Sequence, residues 1–306
     1  MTRVAAIDCG TNSIRLLVAD IEGGHLADLV RRMEIVRLGQ GVDRTGVLAP
    51  AALARTIDAL REYAAQIHAL GADRVRMVAT SATRDAANRD VFVRACRDVL
   101  GVDPEVVSGA EEATLSFAGA TSTLDRTRFP APYLVVDIGG GSTEVVLGDT
   151  TAEASRSVDI GCVRLYERRL TSDPPTPDQV AAAEADIDAA LDQVTAVVDV
   201  GRARTLVGLA GSVTTVAALA LDLPAYDPLA IHGAVIPAAE VAAVTQRLLH
   251  MTAEERRALP VMHPGRADVI ASGALVLRRL LERFGQPAVV ASERDILDGI
   301  ALSIGC

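Results

Sequence analysis

Apolar positions along the chain fall into short continuous runs broken by tight polar turns, and into longer stretches with helical spacing. Residues 4–7 form the first run. Asp8-Cys9-Gly10-Thr11-Asn12-Ser13 follows, then a second run over 14–19, which predicts strand, tight turn, strand. Leu53, Ile57, Leu60, Ala64 and Ile67 share one helical face and predict a helix over 51–70. A strand is predicted over 75–79, a helix over 88–100 ended by Gly101, and a short strand over 105–107. A helix begins at Glu111, with Glu111 and Glu112 in the first turn, where the helix dipole favours negative charge. Residues 121–132, with two prolines and mixed polar side chains, are the linker candidate. A second hairpin is predicted from strands 133–136 and 145–147. Helices over 179–198, 212–221, 266–284 and 295–303 and strands over 205–209 and 288–291 complete the pattern.

The two hairpins are related. Residues 4–20 (VAAIDCGTNSIRLLVAD) align without gaps on 133–149 (YLVVDIGGGSTEVVLGD). Asp8 falls on Asp137, Gly10 on Gly139, Ser13 on Ser142 and Asp20 on Asp149. Coincidence of Asp, Gly and Ser inside the turn points to duplication. The expected architecture is α/β, with two related domains, 1–124 and 125–306, each opening with the same hairpin and flanking a ligand cleft. The final helix is placed in the second domain, with packing back on the first as the alternative.

The turns carry the candidate chemistry. Glycine permits positive φ and close approach of backbone to a ligand, and successive free N–H groups make an anion-binding nest. Gly139-Gly140-Gly141-Ser142 fits this description, and the stretch containing Gly10, Asn12 and Ser13 fits more weakly. A third candidate, with Gly211 and Ser212, lies at a strand-to-helix junction. Any one such turn is compatible with a structural hairpin; three together point to phosphate. Asp8 and Asp137 end buried strands, where a carboxylate either caps the turn or holds a metal. Glu144 lies on the return strand of the second hairpin, so Asp137 and Glu144 suit Mg²⁺, which takes one or two carboxylates plus waters and phosphate oxygens. Arg84 has the planar fork that suits a terminal phosphate, or pairs with Asp85 at the surface. Arg164, Arg168 and Arg169 read equally as a solvated helix face or a polyanion track.

Composition narrows the classes. The 306 residues carry a net charge of −10, which opposes nonspecific nucleic-acid or anionic-membrane binding. Aromatics are 3%, too few for a base-stacking platform. All 30 basic residues are arginine, which excludes Schiff-base chemistry and a P-loop. The five histidines show no zinc-binding spacing, and the four cysteines at 9, 96, 162 and 306 form no CxxC, so they are read as reduced thiols in a cytoplasmic protein. No signal-peptide pattern or membrane-length apolar run is present in the sequence.

The ordered strings AIDCGTNSIRLL, RLGQGVDRTGVL, ATSATRDAAN, SGAEEA, DIGGGSTE, GCVRL, AGSVTTVAAL, ERRALPVMHPGRADVI and SERDILDGI resemble the exopolyphosphatase / guanosine pentaphosphate phosphatase (Ppx/GppA) family over essentially the whole chain. The resemblance implies duplicated actin-like domains of the sugar kinase/Hsp70/actin superfamily, with a ribonuclease H-like core. It implies Mg²⁺-dependent hydrolysis of a terminal phosphoanhydride, with Mn²⁺ able to substitute. It places the general base on Glu112 and the metal and water-positioning residues on Asp137 and Glu144; Asp8, read from its strand end, stays the weaker metal candidate. It places phosphate contacts on Asn12, Ser13 and Arg84. The chain resembles short two-domain members without the additional helical domain of long ones, so affinity is expected to level off at short polyphosphate. The expected activity is that of an exopolyphosphatase. Alternatives are a guanosine pentaphosphate (pppGpp) 5′-phosphohydrolase, a non-catalytic sensor of ppGpp or polyphosphate, or a small-molecule kinase. A homodimer is expected.

Overall fold

The computed structural model describes residues 2–305. The chain divides into two compact units: Met1–Gly119 with Ile296–Cys306, and Ala120–Asp295. Unit 1 holds strands β1 (Thr2–Cys9), β2 (Ser13–Glu22), β3 (His25–Ile35), β4 (Arg74–Ala79) and β5 (Glu105–Val106), in the order β3-β2-β1-β4-β5. Unit 2 holds β6 (Tyr133–Ile138), β7 (Thr143–Gly148), β8 (Ala152–Val158), β9 (Thr205–Leu209), β10 (Val235–Pro237) and β11 (Ala288–Ala291), in the order β8-β7-β6-β9-β11-β10. In each unit the first three strands form an antiparallel meander, and the fourth pairs parallel with the first. The next strand across each sheet, β5 in unit 1 and β11 in unit 2, then adds parallel to the fourth. Unit 2 differs by the extra edge strand β10. Both units thus share one α/β strand arrangement, the duplication expected from the hairpin repeat.

Strand β1 shows why its sequence reads as one apolar run. Ala5, Ile7 and Cys9 join a core with the helices Pro50–Leu70 and Arg89–Leu100, through Ile57, Leu60, Tyr63, Phe92 and Cys96. Val4 and Ala6 point to the other face and pack with Leu115 and the helix Ile296–Ile304. A strand buried on both faces needs no polar alternation. The C-terminal helix also lies close to the helix Gly109–Thr121: a Cβ on Gly299 would stand 2.0 Å from the backbone oxygen of Leu115. Gly299 is therefore the small residue that lets these two helices approach, three residues from Glu112 along the second helix.

The pattern misses β3 and β8. Both pair on one side only and face solvent along much of their length, so charged residues such as Arg31, Arg32 and Glu34 interrupt the apolar signal. It also misses the helix Ala238–His250. The helix expected from Arg266 begins instead at Ile270, because Pro264–Arg266 forms a separate 3₁₀ turn. The helix expected over 179–198 spans Pro177–Thr195, started by Pro177 and by a capping box between Thr176 and Gln179.

Cys9, Cys96 and Cys162 are buried free thiols, and Cys306 lies outside the described residues. Burial pushes all three upward: Cys9 well above the usual thiol range, Cys96 to about 12, and Cys162 upward against a hydrogen bond from Ser212 that pulls the other way. The protonated thiol is unreactive, so native protein at pH 8 is expected to react with a thiol-selective alkylating reagent at these three positions only after unfolding. Peptide mapping after labelling with and without denaturant reads this directly; fast native labelling at Cys96 would contradict the burial.

Candidate active site

In unit 1, the turn joining β1 to β2 is closed by Gly10 N–H donating to the Ser13 carbonyl at 2.9 Å. The segment after β3 clamps it. Gly39 N–H donates to the Thr11 carbonyl at 2.8 Å, and Val36 and Arg37 N–H groups donate to the Asn12 carbonyl at 3.0 and 2.8 Å. Arg37 holds this position at φ 52, a conformation that costs a non-glycine residue strain. The Thr11 and Ser81 hydroxyls share a hydrogen bond of 2.9 Å, tying the turn to the short helix Ser81–Asp85 at the end of β4.

That short helix carries Arg84. Its Nη1 donates to the Val107 carbonyl at 3.0 Å and to Glu112 Oε2 at 3.1 Å, so the surface pairing with Asp85 weighed from sequence is replaced by a pairing with Glu112. Glu112 sits in the first turn of the helix Gly109–Thr121, is buried, and donates its N–H to the Ser108 carbonyl. The neighbouring acids part ways here. Glu111 is exposed and pairs with Arg76, while Glu112 turns inward to Arg84. Arg84 thus gives the inward-facing Glu112 a cationic partner.

Asp8 lies directly opposite Arg15 across β1 and β2, and Arg15 Nη2 donates to Asp8 Oδ2 at 2.7 Å. Directly opposed residues project from the same face of an antiparallel pair, so the hairpin supplies this carboxylate with its own cation. Asp8 therefore has a structural partner where the sequence reading also entertained a metal. Replacing Arg15 with Met removes the cation from a buried carboxylate and is expected to destabilise unit 1 by about 3 kcal/mol, read by chemical denaturation. An unchanged midpoint would show that the pair contributes nothing.

In unit 2 the equivalent turn is closed the same way, Gly139 N–H donating to the Ser142 carbonyl at 3.0 Å. Asp137 stands opposite Glu144, the position matching Arg15. Both carboxylates are buried, and Ser157 Oγ donates to Glu144 Oε1 at 2.7 Å. Two acids opposed on one face of a hairpin are the oxygen donors that Mg²⁺ prefers. Among the described residues no cluster of three or more His, Cys, Asp or Glu side chains gathers around one point, so waters or phosphate oxygens would complete the shell of an ion held by this pair. The donor set fits magnesium on those terms.

The helix Cys162–Arg168 begins against this turn. Gly161 leaves room for it: a Cβ there would lie 2.5 Å from the Gly140 carbonyl carbon and oxygen. Neither turn needs left-handed glycine, since Gly10, Gly139, Gly140 and Gly141 all lack positive φ. Close approach is the operative reason for glycine here, and the expectation of positive φ is corrected. The three arginines after Gly161 do not act alike. Arg169 pairs with Asp186 at 2.7 Å, whereas Arg164 Nε donates to the Gly141 carbonyl at 2.7 Å.

The third turn leads from β9 into the helix Ala210–Ala220, with Ala210 at φ 65. Ser212 is buried, and Gly211 faces Arg266: a Cβ on Gly211 would stand 2.1 Å from Arg266 Nη2. Arg266 Nη1 donates to Thr215 Oγ1 at 2.9 Å, which donates in turn to the Gly211 carbonyl at 2.6 Å. A guanidinium at the positive end of a helix dipole is an arrangement that an anion stabilises. Sequence reasoning named Gly211 and Ser212 but missed Arg266, which lies 51 residues from Thr215. It also missed Arg15. The gapless repeat alignment, which sets Arg15 on Glu144, was the available signal.

The profile of the Ppx/GppA phosphatase family matches residues 17–304. A protein named Exopolyphosphatase 2 from Mycobacterium tuberculosis (strain ATCC 25618 / H37Rv) is 54% identical, over 99% of both chains. Among solved structures, an exopolyphosphatase-like protein superposes with a TM-score of 0.96 at 45% identity, covering 99% of this chain and 97% of that one. The Aquifex aeolicus PPX-GPPA enzyme superposes at 0.81 and 31% identity, covering 99% of each.

Proposed function

Since the chain belongs to the Ppx/GppA phosphatase family, we propose that it is an exopolyphosphatase, hydrolysing the terminal phosphoanhydride of inorganic polyphosphate and releasing orthophosphate. The observation that carries the mechanism is the Arg84–Glu112 contact. It joins the arginine suited to a terminal phosphate to the one buried carboxylate of the Glu111-Glu112 pair. Glu112 takes the proton from the attacking water as the water oxygen bonds to the terminal phosphorus and the bridging P–O bond breaks, the shortened polyphosphate leaving with the bonding electron pair. Arg84 binds phosphate oxygens with its planar fork.

The N–H groups of Gly140 and Gly141 donate to no protein acceptor among the described residues, and they offer fixed dipoles to phosphate oxygens. Gly211 and Ser212 at a helix start, with Arg266 beside them, supply a further anion-binding element. Asp137 and Glu144 would hold magnesium, which when bound would supply charge neutralisation on the phosphate groups. The net charge of −10 opposes a polyanion at long range, so these local donors carry the binding.

The donors named above suit a few phosphate groups, so affinity is expected to level off at short chains and long polymers to be released between cuts. Partial digestion of long polyphosphate, separated on a gel, is expected to give a ladder shortening from the end, with orthophosphate as the small product. Fragments of scattered length without orthophosphate would mean internal cleavage and overturn the reading. Only full-length polymer and orthophosphate would mean processive action and overturn the chain-length expectation alone.

A further inference from the structure

Three successive carbonyls in the β6–β7 turn are all engaged. The Gly139 carbonyl accepts from Cys162 N–H at 2.9 Å. The Gly140 carbonyl accepts from Val163 and Arg164 N–H groups at 2.9 and 3.1 Å. The Gly141 carbonyl accepts from the Arg164 side chain, through Nε, at 2.7 Å. These peptides are trans, and in a trans peptide the C=O and the following N–H point in opposite directions. Fixing the three carbonyls on the start of the helix Cys162–Arg168 therefore aims the N–H groups of Gly140, Gly141 and Ser142 away from that helix. An anion nest is such a set of aimed N–H groups.

The equivalent turn of unit 1 is clamped by the backbone N–H groups of Val36, Arg37 and Gly39. In unit 2 the last of the three anchors is a side chain, so one substitution can remove it. We propose that Arg164 is a positioning residue: its Nε–H holds the Gly141–Ser142 peptide so that the Ser142 N–H joins the nest. The inference rests on the reading of this turn as a phosphate site. It replaces the polyanion-track role considered for Arg164 from sequence.

Side-chain chemistry separates the two roles. In Arg the fourth atom out from the backbone is Nε. Gln places a neutral amide N–H donor at the same remove, Met places a methyl group there, and Lys keeps the charge but carries its donor one atom farther out. Removing a charge-assisted hydrogen bond that positions the nest is expected to weaken tripolyphosphate binding about tenfold. R164M and R164K are therefore expected to raise KM for short polyphosphate by about this factor, with a smaller change in kcat, and R164Q to recover most of the loss. Thermal unfolding of each variant monitors the fold.

Titration of ¹⁵N-glycine-labelled protein with tripolyphosphate supplies a readout independent of turnover. The Gly140 and Gly141 amide signals are expected to shift in the wild type and in R164Q, and to need about tenfold more ligand in R164M. Activity kept by R164K and lost by R164Q would make the charge itself the functional element and overturn the proposal. Wild-type behaviour of R164M would overturn it as well. Immobile Gly140 and Gly141 signals in a wild-type enzyme that still releases phosphate would remove the nest while leaving the proposed activity standing. Shifted signals weakened by R164M, in a protein that releases no phosphate, would uphold the positioning role and reject the activity.

Discussion

Glu112→Gln is expected to lower turnover of polyphosphate by ~10²–10⁴ while leaving polyphosphate binding near the wild-type level. Gln keeps the shape of the side chain, and its amide oxygen can still accept from Arg84 Nη1. What it loses is basicity, so the attacking water keeps its proton. The neighbouring acid provides the internal control. Glu111 is exposed, pairs with Arg76 at 3.0 Å, and has no part in the chemistry, so E111Q is expected to stay within about twofold of the wild type. Equal losses in the two variants would mean that the helix start matters for stability alone. Near-normal turnover in E112Q would place the base elsewhere.

Asp137→Asn is expected to raise the magnesium concentration needed for half-maximal activity by about tenfold or more, and an excess of chelator is expected to abolish activity until magnesium is restored. Asn keeps one oxygen donor but removes the charge that a hard cation prefers. Glu144→Gln is expected to act in the same direction, because Glu144 is the directly opposed carboxylate and Ser157 fixes its other face. Asp8→Asn separates the two hairpins. Its partner is Arg15, so it is expected to lower stability without moving the magnesium requirement. A magnesium shift in D8N equal to that in D137N would assign Asp8 to the metal after all. Full wild-type activity in excess chelator would remove the metal from the mechanism.

The sequence displayed the parts that are buried or repeated. Continuous apolar runs marked β1, β2, β6 and β7, because both faces of each sheet are covered there. The recurrence of Asp, Gly and Ser in two turns marked the duplication, which the strand orders of the two sheets repeat. Edge strands β3 and β8 escaped because solvent, not core, meets much of their surface, and charged residues are tolerated there. At the candidate site, residues local to a motif could be named from the sequence: Glu112 in SGAEEA, Asp137 and Glu144 in DIGGGSTE, Arg84 in ATSATR. Pairings between distant segments were not. Nothing in the sequence around Arg164 says that its Nε reaches a carbonyl 23 residues earlier, nor that Arg266 lies against Gly211. Those contacts follow from strand order and helix placement, which a motif does not encode.

The central claim is that this chain cleaves terminal phosphate from inorganic polyphosphate, and the direct measurement is orthophosphate release by the purified protein from short polyphosphate, pppGpp and ATP in parallel, with magnesium present. The account predicts the highest kcat/KM on polyphosphate, with release lost in E112Q. Conversion of pppGpp with polyphosphate left intact, or release that E112Q does not diminish, would contradict it.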